Sequence, residues 1–181
     1  MVTERKLRTA KIEPLGKKHD RAAFSCGKQK LDRYFREQAS QDARRYIAAP
    51  FVAVHEESET TVLGYYTLSA FAVELGSLPE ATVTRLRHYP LVPATLLGRL
   101  AVDQTHKGRG LGEFLLTDAL RRAYEQSAQI ASAAVVVEAM DDEAHRFYRH
   151  FDFIAFPERQ DRLFLPMATI GKLFPKKLGC I

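Results

Sequence analysis

Apolar and polar positions recur in two rhythms along this chain, one of three to four residues and one of two. Between Lys28 and Arg45 the positions Leu31, Tyr34, Phe35, Gln38, Ala39 and Asp42 are spaced by three and four, with the apolar ones on one stripe, and this predicts a helix. Leu111, Leu115, Leu116, Ala119, Leu120 and Ala123 form the stripe of a second helix, which Gly108–Gly112 opens and which runs to about Ser127. Asp141–His150 predicts a short third one, with Asp141 or Asp142 at its N-cap. Arg8–Pro14 alternates weakly as a first strand. Phe51–Val54 and Val62–Val73 read as a hairpin across the acidic turn His55–Thr60. Leu78–Pro93 is broken by Pro79, Pro90 and Pro93, carries Arg85, Arg87 and His88, and is predicted as a loop with a short helical turn. Thr95–Val102 follows as a strand buried on both faces except at Arg99. Ala133–Glu138, nearly continuous in apolar residues, suits the middle of a sheet. Phe151–Phe156 and Arg162–Leu165 complete the pattern as a final pair of strands. The order predicts a mixed α/β (α+β) fold, one sheet with helices on both faces.

Length and composition fit one compact domain over residues 1–181. The sequence is 46% hydrophobic, which excludes a disordered chain. No apolar run reaches the ~20 residues needed to span a bilayer. The opening Met-Val-Thr-Glu-Arg-Lys lacks a signal-peptide core, so a cytoplasmic protein without membrane association is expected. Cys26 and Cys180 form no metal or disulfide pattern, and no metal is expected. The net charge of +5 is concentrated: residues 1–50 hold 13 Lys/Arg against 6 Asp/Glu. A basic first third suits a polyanion such as RNA or an acidic protein, and equally a solvated surface.

The segment with the most chemical content runs from Leu100-Ala101-Val102 through Lys107-Gly108-Arg109-Gly110-Leu111-Gly112 into the helix. A strand that enters a glycine-rich turn at a helix N-terminus is an anion site: the first helical N–H groups lack intrahelical acceptors and carry the positive end of the macrodipole. Lys107 and Arg109 add full charges. The nucleoside-triphosphate phosphate loop needs Gly-Lys-Ser/Thr, and here Glu113 and Phe114 follow Gly112. A dinucleotide fingerprint needs Gly-x-Gly-x-x-Gly, and here the spacing is Gly-x-Gly-x-Gly. The pyrophosphate of coenzyme A, which needs amides and positive charge but no metal, fits better.

With Ala144, Phe147, Tyr148 and Phe153 following in order, the sequence resembles the GNAT (Gcn5-related) acetyltransferases. In that family the glycine loop binds acetyl-CoA, and a later motif, Asn-x-x-Ala-x-x-Phe-Tyr then Gly-Phe, contacts pantetheine and supplies a catalytic tyrosine. Lys107 stands where Gln or Arg is usual, Asp141 where the motif has Asn, and Asp152 where it has Gly. The resemblance implies a mostly antiparallel sheet with a V-shaped opening between two central parallel strands. It places acetyl-CoA, the co-substrate, on Leu100, Ala101, Val102, Lys107, Gly108, Arg109, Gly110, Leu111, Gly112, Asp141, Ala144 and Phe147. A narrower likeness spans nearly the whole chain. Phe24-Ser25-Cys26-Gly27, Leu31-Asp32, Tyr34-Phe35, Gly64-Tyr65-Tyr66-Thr67-Leu68 and Arg99 to Asp103 are similar to the GNAT toxins of type II toxin–antitoxin systems. Those toxins acetylate the α-amino group of aminoacyl-tRNA, pair with a ribbon-helix-helix antitoxin, and imply a homodimer here.

The chemistry required is aminolysis of a thioester. Tyr148, a phenol with a reference pKa of about 10, arrives protonated and suits the acid for the departing sulfur. Backbone N–H groups of Leu100–Val102 suit the carbonyl. Glu138, Asp103 and His145 are the candidate bases. An α-amine loses its proton at a pKa of about 8, against about 10.4 for lysine, so an α-amine substrate has the lesser need of a base. Arg85, Arg87, Arg99, Arg44 and Arg45, with Lys28, Lys30, Arg33 and Arg36, are candidates for RNA phosphates. Arg99, on an apolar strand, must pair with a carboxylate such as Asp103 or face a cleft. A GNAT enzyme acting on a protein or small-molecule amine, and a coenzyme-A-binding module without catalysis, remain as alternatives.

Overall fold

The computed structural model describes residues 10–84 and 89–175. Among these lie seven strands: β1 (Ala10–Pro14), β2 (Ala49–His55), β3 (Ser58–Glu74), β4 (Leu91–Val102), β5 (Ala134–Glu138), β6 (Ile154–Ala155) and β7 (Arg162–Pro166). Six helices accompany them: α1 (Gln29–Glu37), α2 (Ala39–Arg44), α3 (Glu80–Val83), α4 (Leu111–Gln126), α5 (Asp142–His150) and α6 (Met167–Leu173). The strands form one mostly antiparallel sheet in the order β1-β2-β3-β4-β5-β7-β6. Its parallel ladder joins Thr95–Leu97 of β4 to Val135–Val137 of β5, and among the described residues it goes no further along β4. The chain divides into two compact units. One takes the residues up to Ser69 with Gly98–Ala119, and the other takes Ala70–Leu97 with Leu120 onward.

In the first unit, α1 buries Leu31, Tyr34 and Phe35 at helical spacing. They meet Phe24, Val52, Val54, Val62, Tyr65 and Ala101 in one cluster, with Phe35 and Tyr65 stacked at 4.4 Å between centroids. Burying an aromatic of this kind contributes about 1.5–3 kcal/mol. Side chains alternate across a strand, and β3 uses this at two successive residues. The Tyr65 hydroxyl donates to Leu31 O at 2.9 Å, while that of Tyr66 donates to Asp118 Oδ2 of α4 at 2.6 Å. The sheet therefore carries a helix on each face in this unit. Between the two tyrosines and the turn stands Gly64, where a Cβ would lie 2.9 Å from Ala101 O and 2.7 Å from a Leu115 methyl. Only glycine fits that approach.

The second unit packs Val73, Leu78, Val92, Ala94, Val136, Phe156 and Phe164 together. The Val135-Val136-Val137 run of β5 is fully buried between β4 and β7, which explains its uninterrupted apolar character.

Several elements depart from the sequence reading. The helix expected over Lys28–Arg45 is two helices, broken at Gln38, whose φ is −118°, and the break brings the Asp42 carboxylate to the Tyr34 hydroxyl at 3.0 Å. β4 begins four residues earlier than expected, with Pro93 inside it. It is not buried on both faces, since Thr95, Leu96, Gly98, Leu100 and Val102 are half-exposed. The strand expected over Phe151–Phe156 shrinks to Ile154–Ala155. Its first residues close α5 instead, with Asp152 at φ 63° and its N–H donating to Arg149 O. The helix α6 was not foreseen. Arg85, Arg87, His88 and Cys180 lie outside the described residues. Among those described, no helix is long and apolar enough to cross a membrane.

Candidate functional site

After Val102 the chain makes a 3-10 turn at Gln104–His106, passes Gly108 at φ 71° and Gly110 at φ 79°, and enters α4 at Leu111. These two glycines hold a conformation that side-chain-bearing residues rarely adopt. A Cβ at either would meet nothing within 4 Å, so the turn presents an open face. Gly112 lies within the first helical turn. The first intrahelical bond here is Phe114 N to Gly110 O at 3.0 Å. Among the described residues no protein acceptor meets the backbone N–H groups of residues 107–113. Lys107 is exposed and Arg109 half-buried, and neither has a carboxylate partner among the described residues. Unsatisfied amides, a helix N-terminus and two cations make a cradle that a diphosphate fits without a metal.

A buried carboxylate sets the shape of this loop. Asp103 accepts hydrogen bonds from Ser25 N (3.1 Å), Thr105 N (3.0 Å) and Thr105 Oγ1 (2.5 Å), and lies 3.5 Å from His106 Nδ1. Its own N–H donates to Leu63 O, and the N–H of Gln104 donates to Ser25 O. Asp32 of α1 holds the Ser25–Cys26 segment that Asp103 also bonds, accepting from Cys26 N at 2.8 Å and Ser25 Oγ at 3.0 Å. Burial pushes the Asp103 carboxyl up, but the hydrogen bonds from Thr105, Ser25 and His106 outweigh it and leave it below the usual carboxylate range. A carboxylate so engaged is a poor proton acceptor. The sequence reading weighs Asp103 as structural rather than catalytic, and these bonds agree with that; the matching role of Asp32 was not read from the sequence. The signal at Asp103 was an acidic residue at the start of a turn, where a carboxylate can bond the N–H two residues on, whereas Asp32 lies inside α1 and reaches back to Cys26.

Arg99 does not pair with Asp103. Its guanidinium carbon lies over the Tyr34 ring, 3.4 Å from the centroid, a cation–π contact. Burial, then the hydrogen bond to Asp42, pushes the Tyr34 phenol up to about 12, so it stays a neutral donor beneath the cation. Arg44 and Arg45 are exposed at the end of α2. Arg33 pairs with Glu37 and Arg36 donates to Phe24 O, so both are engaged locally.

In the second unit, Asp141 caps α5 by accepting from Ala144 N at 2.9 Å. Ala144 and Phe147 are half-buried on this helix. Tyr148 is 6% exposed, its ring 5.3 Å from those of Phe147 and Phe153. Among the described residues no group hydrogen-bonds its hydroxyl. Burial raises the Tyr148 phenol well above its ordinary value. Of the candidate bases, Glu138 accepts two hydrogen bonds from Arg162, at 2.6 and 3.0 Å, while the His145 side chain has no partner among the described residues. Leu100–Val102 and residues 107–112 thus belong to the first unit, and Asp141, Ala144, Phe147 and Tyr148 to the second.

The mostly antiparallel seven-strand sheet with one short parallel ladder is the fold of the acetyltransferases. The acetyltransferase (GNAT) family matches residues 15–153, and the chain belongs to that family and is an acetyltransferase. It is 38% identical to a tRNA-acetylating toxin of Mycobacterium tuberculosis over 148 residues, covering 82% of this chain and 86% of the relative. It is 32% identical to a probable toxin TacT of Sinorhizobium fredii over 170 residues, covering 90% and 93%. Among solved structures, a tyrosine-to-phenylalanine mutant of KacT matches with a TM-score of 0.87 at 30% identity, covering 92% of this chain and 99% of that one. AtaT complexed with acetyl-methionyl-tRNA matches at 0.84 and 30%, covering 91% and 99%. An AtaT mutant bound to acetyl-CoA and the C-terminus of the antitoxin AtaR matches at 0.79 and 28%, covering 93% and 99%.

Proposed function

We propose that this acetyltransferase moves the acetyl group of acetyl-CoA to the α-amino group of aminoacyl-tRNA, and that it is the toxin of a toxin–antitoxin pair acting on translation. The observation in this chain that carries the donor half is the set of unsatisfied amides at residues 107–113. The relatives named as tRNA-acetylating, and AtaT with its acetylated tRNA, support the acceptor half.

Lys107, Gly108, Arg109, Gly110, Leu111 and Gly112 hold the pyrophosphate. The amides of Leu100, Ala101 and Val102 lie along the donor arm and polarise the acetyl carbonyl. Asp141 at the cap of α5, with Ala144 and Phe147 along it, falls on the family motif that contacts pantetheine. The neutral amine attacks the carbonyl carbon, the C–S bond breaks, the sulfur leaves with the Tyr148 proton, the new amide nitrogen gives its proton to solvent, and the Tyr148 phenolate takes one back from solvent. A phenol raised by burial keeps its proton throughout the neutral range, as an acid must. Asp103 and Glu138 are occupied, leaving His145 alone of the three candidate bases without a side-chain partner among the described residues, which favours an amine that sheds its proton readily, and the α-amine at a pKa of about 8 meets that better than lysine. Arg44, Arg45 and Arg99 hold RNA, as do Arg85 and Arg87 outside the described residues. The full chain acts as one catalytic domain, without a metal, in the cytoplasm, as a homodimer whose partner is a ribbon-helix-helix antitoxin.

The test is labelled acetyl-CoA with charged and deacylated tRNA. Label is expected on charged tRNA alone. Tyr148→Phe is expected to lower kcat by about 10²–10⁴ with acetyl-CoA affinity retained. Label on a peptide N-terminus or polyamine but not on charged tRNA would replace this substrate, and an unchanged kcat would remove Tyr148 as the acid.

A further inference from the structure

At the end of α2 the chain turns through Arg44-Arg45-Tyr46-Ile47. Tyr46 is 95% exposed, the most exposed of the large hydrophobic side chains described. Its φ is 58°, a left-handed value that suits glycine or asparagine and is unusual for a bulky residue. The turn is tied on both sides: Arg45 N donates to Gln41 O, Tyr46 N to Ala43 O and Ile47 N to Asp42 O. The Tyr46 ring has no stacking or hydrogen-bond partner among the described residues. An aromatic side chain in a strained turn that contributes nothing to packing serves the fold less well than glycine would.

Two further facts bear on what it serves. Arg44 and Arg45 are exposed and have no carboxylate partner among the described residues, so the turn offers two uncompensated cations beside one free aromatic face. Asp42, four residues before Tyr46, accepts from the Tyr34 hydroxyl, and the Tyr34 ring carries Arg99. Arg99 immediately precedes Leu100–Val102. A continuous line of contacts within the first unit thus joins the exposed turn to the strand assigned to the acetyl carbonyl.

We propose that Tyr46 is a stacking platform for an unpaired nucleobase of the RNA acceptor, with Arg44 and Arg45 on the flanking phosphates. The inference rests on the RNA reading above and names a subsite for it. Aromatic faces accept any base, and cations beside them track the backbone. The unpaired 3′ end of a tRNA presents such bases next to the aminoacyl group. Duplex RNA presents none, so the subsite distinguishes single-stranded from paired RNA.

The chain contains no tryptophan, so Tyr46→Trp installs a single indole reporter in the full-length protein. Titration with a short single-stranded RNA ending in CCA is expected to quench it saturably, and a blunt duplex of the same length is not. Tyr46→Asn keeps the left-handed turn and removes the ring. It is expected to raise KM for charged tRNA roughly tenfold, within the range that loss of one base–aromatic stack gives. kcat and the KM for acetyl-CoA stay as they were, the thermal midpoint stays or rises, and Tyr46→Phe and Tyr46→Trp keep the low KM. A merely structural role would move the midpoint and leave KM alone. Wild-type protein that labels no charged tRNA would defeat the substrate reading, and the oligonucleotide titration would then decide the platform by itself. Active wild type with an unquenched indole and an unchanged KM in Tyr46→Asn would overturn the platform. So would a Tyr46→Asn variant whose only loss is affinity for an antitoxin, which would make the turn a protein interface.

Discussion

Gly64 lets two strands and a helix meet closely, and adding one methyl there tests how the strand proposed to hold the acetyl group is positioned. In Gly64→Ala the new Cβ lies 2.9 Å from Ala101 O and 2.7 Å from the Leu115 methyl, where ordinary contact begins at 3.4 Å. The Leu115 side chain is fully buried and has little room to turn aside, and Ala101 O is backbone. Relief therefore requires β4 to move by about half an ångström, and overpacking of this kind costs about 1–3 kcal/mol. The same movement shifts the Ala101 and Val102 amides. A misplacement of about 1 Å costs about a hundredfold in rate, so half that distance predicts about a tenfold loss of kcat. Urea denaturation and steady-state acetylation measure the two effects. Adding Leu115→Ala removes the methyl clash but not the carbonyl clash, and is expected to leave kcat low. A single variant with an unchanged urea midpoint and full kcat would refute the argument.

Gly110→Asp places a carboxylate in the open face of the cradle and a side chain at φ 79°, and calorimetry is expected to show acetyl-CoA binding lost. Unchanged affinity would remove the loop as the diphosphate site. Asp152→Gly replaces a left-handed residue at the end of α5 with the one that prefers it, and is expected to stabilise the protein by about 0.5–1 kcal/mol in thermal or urea unfolding. The ion pair with Lys18, then the His19 and Lys11 hydrogen bonds, lower the Glu13 pKa from 4.5 to about 2. A depressed carboxyl stabilises the folded state fully above its unfolded pKa and loses that contribution as pH falls through the folded one. Wild type is therefore expected to exceed Glu13→Gln in stability above about pH 4.5, with the two curves converging near pH 2. A gap independent of pH would mean that Glu13 acts by packing alone.

The sequence reading found the elements whose pattern is carried by burial. Every member of the α4 stripe is buried, and the valine run of β5 is the sheet centre it resembled. Glycine signals marked the turn before α4, though two glycines use the left-handed region and Gly112 does not. The break at Gln38 was invisible because the apolar spacing continues through it; what the break serves is a long-range bond from Tyr34 to Asp42. Helix α6 went unseen because Met-Ala-Thr-Ile-Gly-Lys-Leu is short, contains a glycine and has no side-chain cap. Of the two alternatives for Arg99, the carboxylate partner is not the one the fold brings; an aromatic ring lies under the guanidinium instead. Gly64 was legible in principle, as glycine within a strand pattern marks a close backbone approach.

The adjacent pair Tyr65 and Tyr66 has a consequence for how this sheet assembles. Each hydroxyl finds its acceptor on a different helix, Leu31 on one side and Asp118 on the other. Sliding β3 by a single residue would exchange the two sides, leaving both phenols buried without acceptors and both helices facing the wrong ring. Mispaired strands are thus penalised twice at one point, and a one-residue deletion between Gly64 and the end of β3 should be tolerated far less than one in the Glu56–Glu57 turn that precedes the strand.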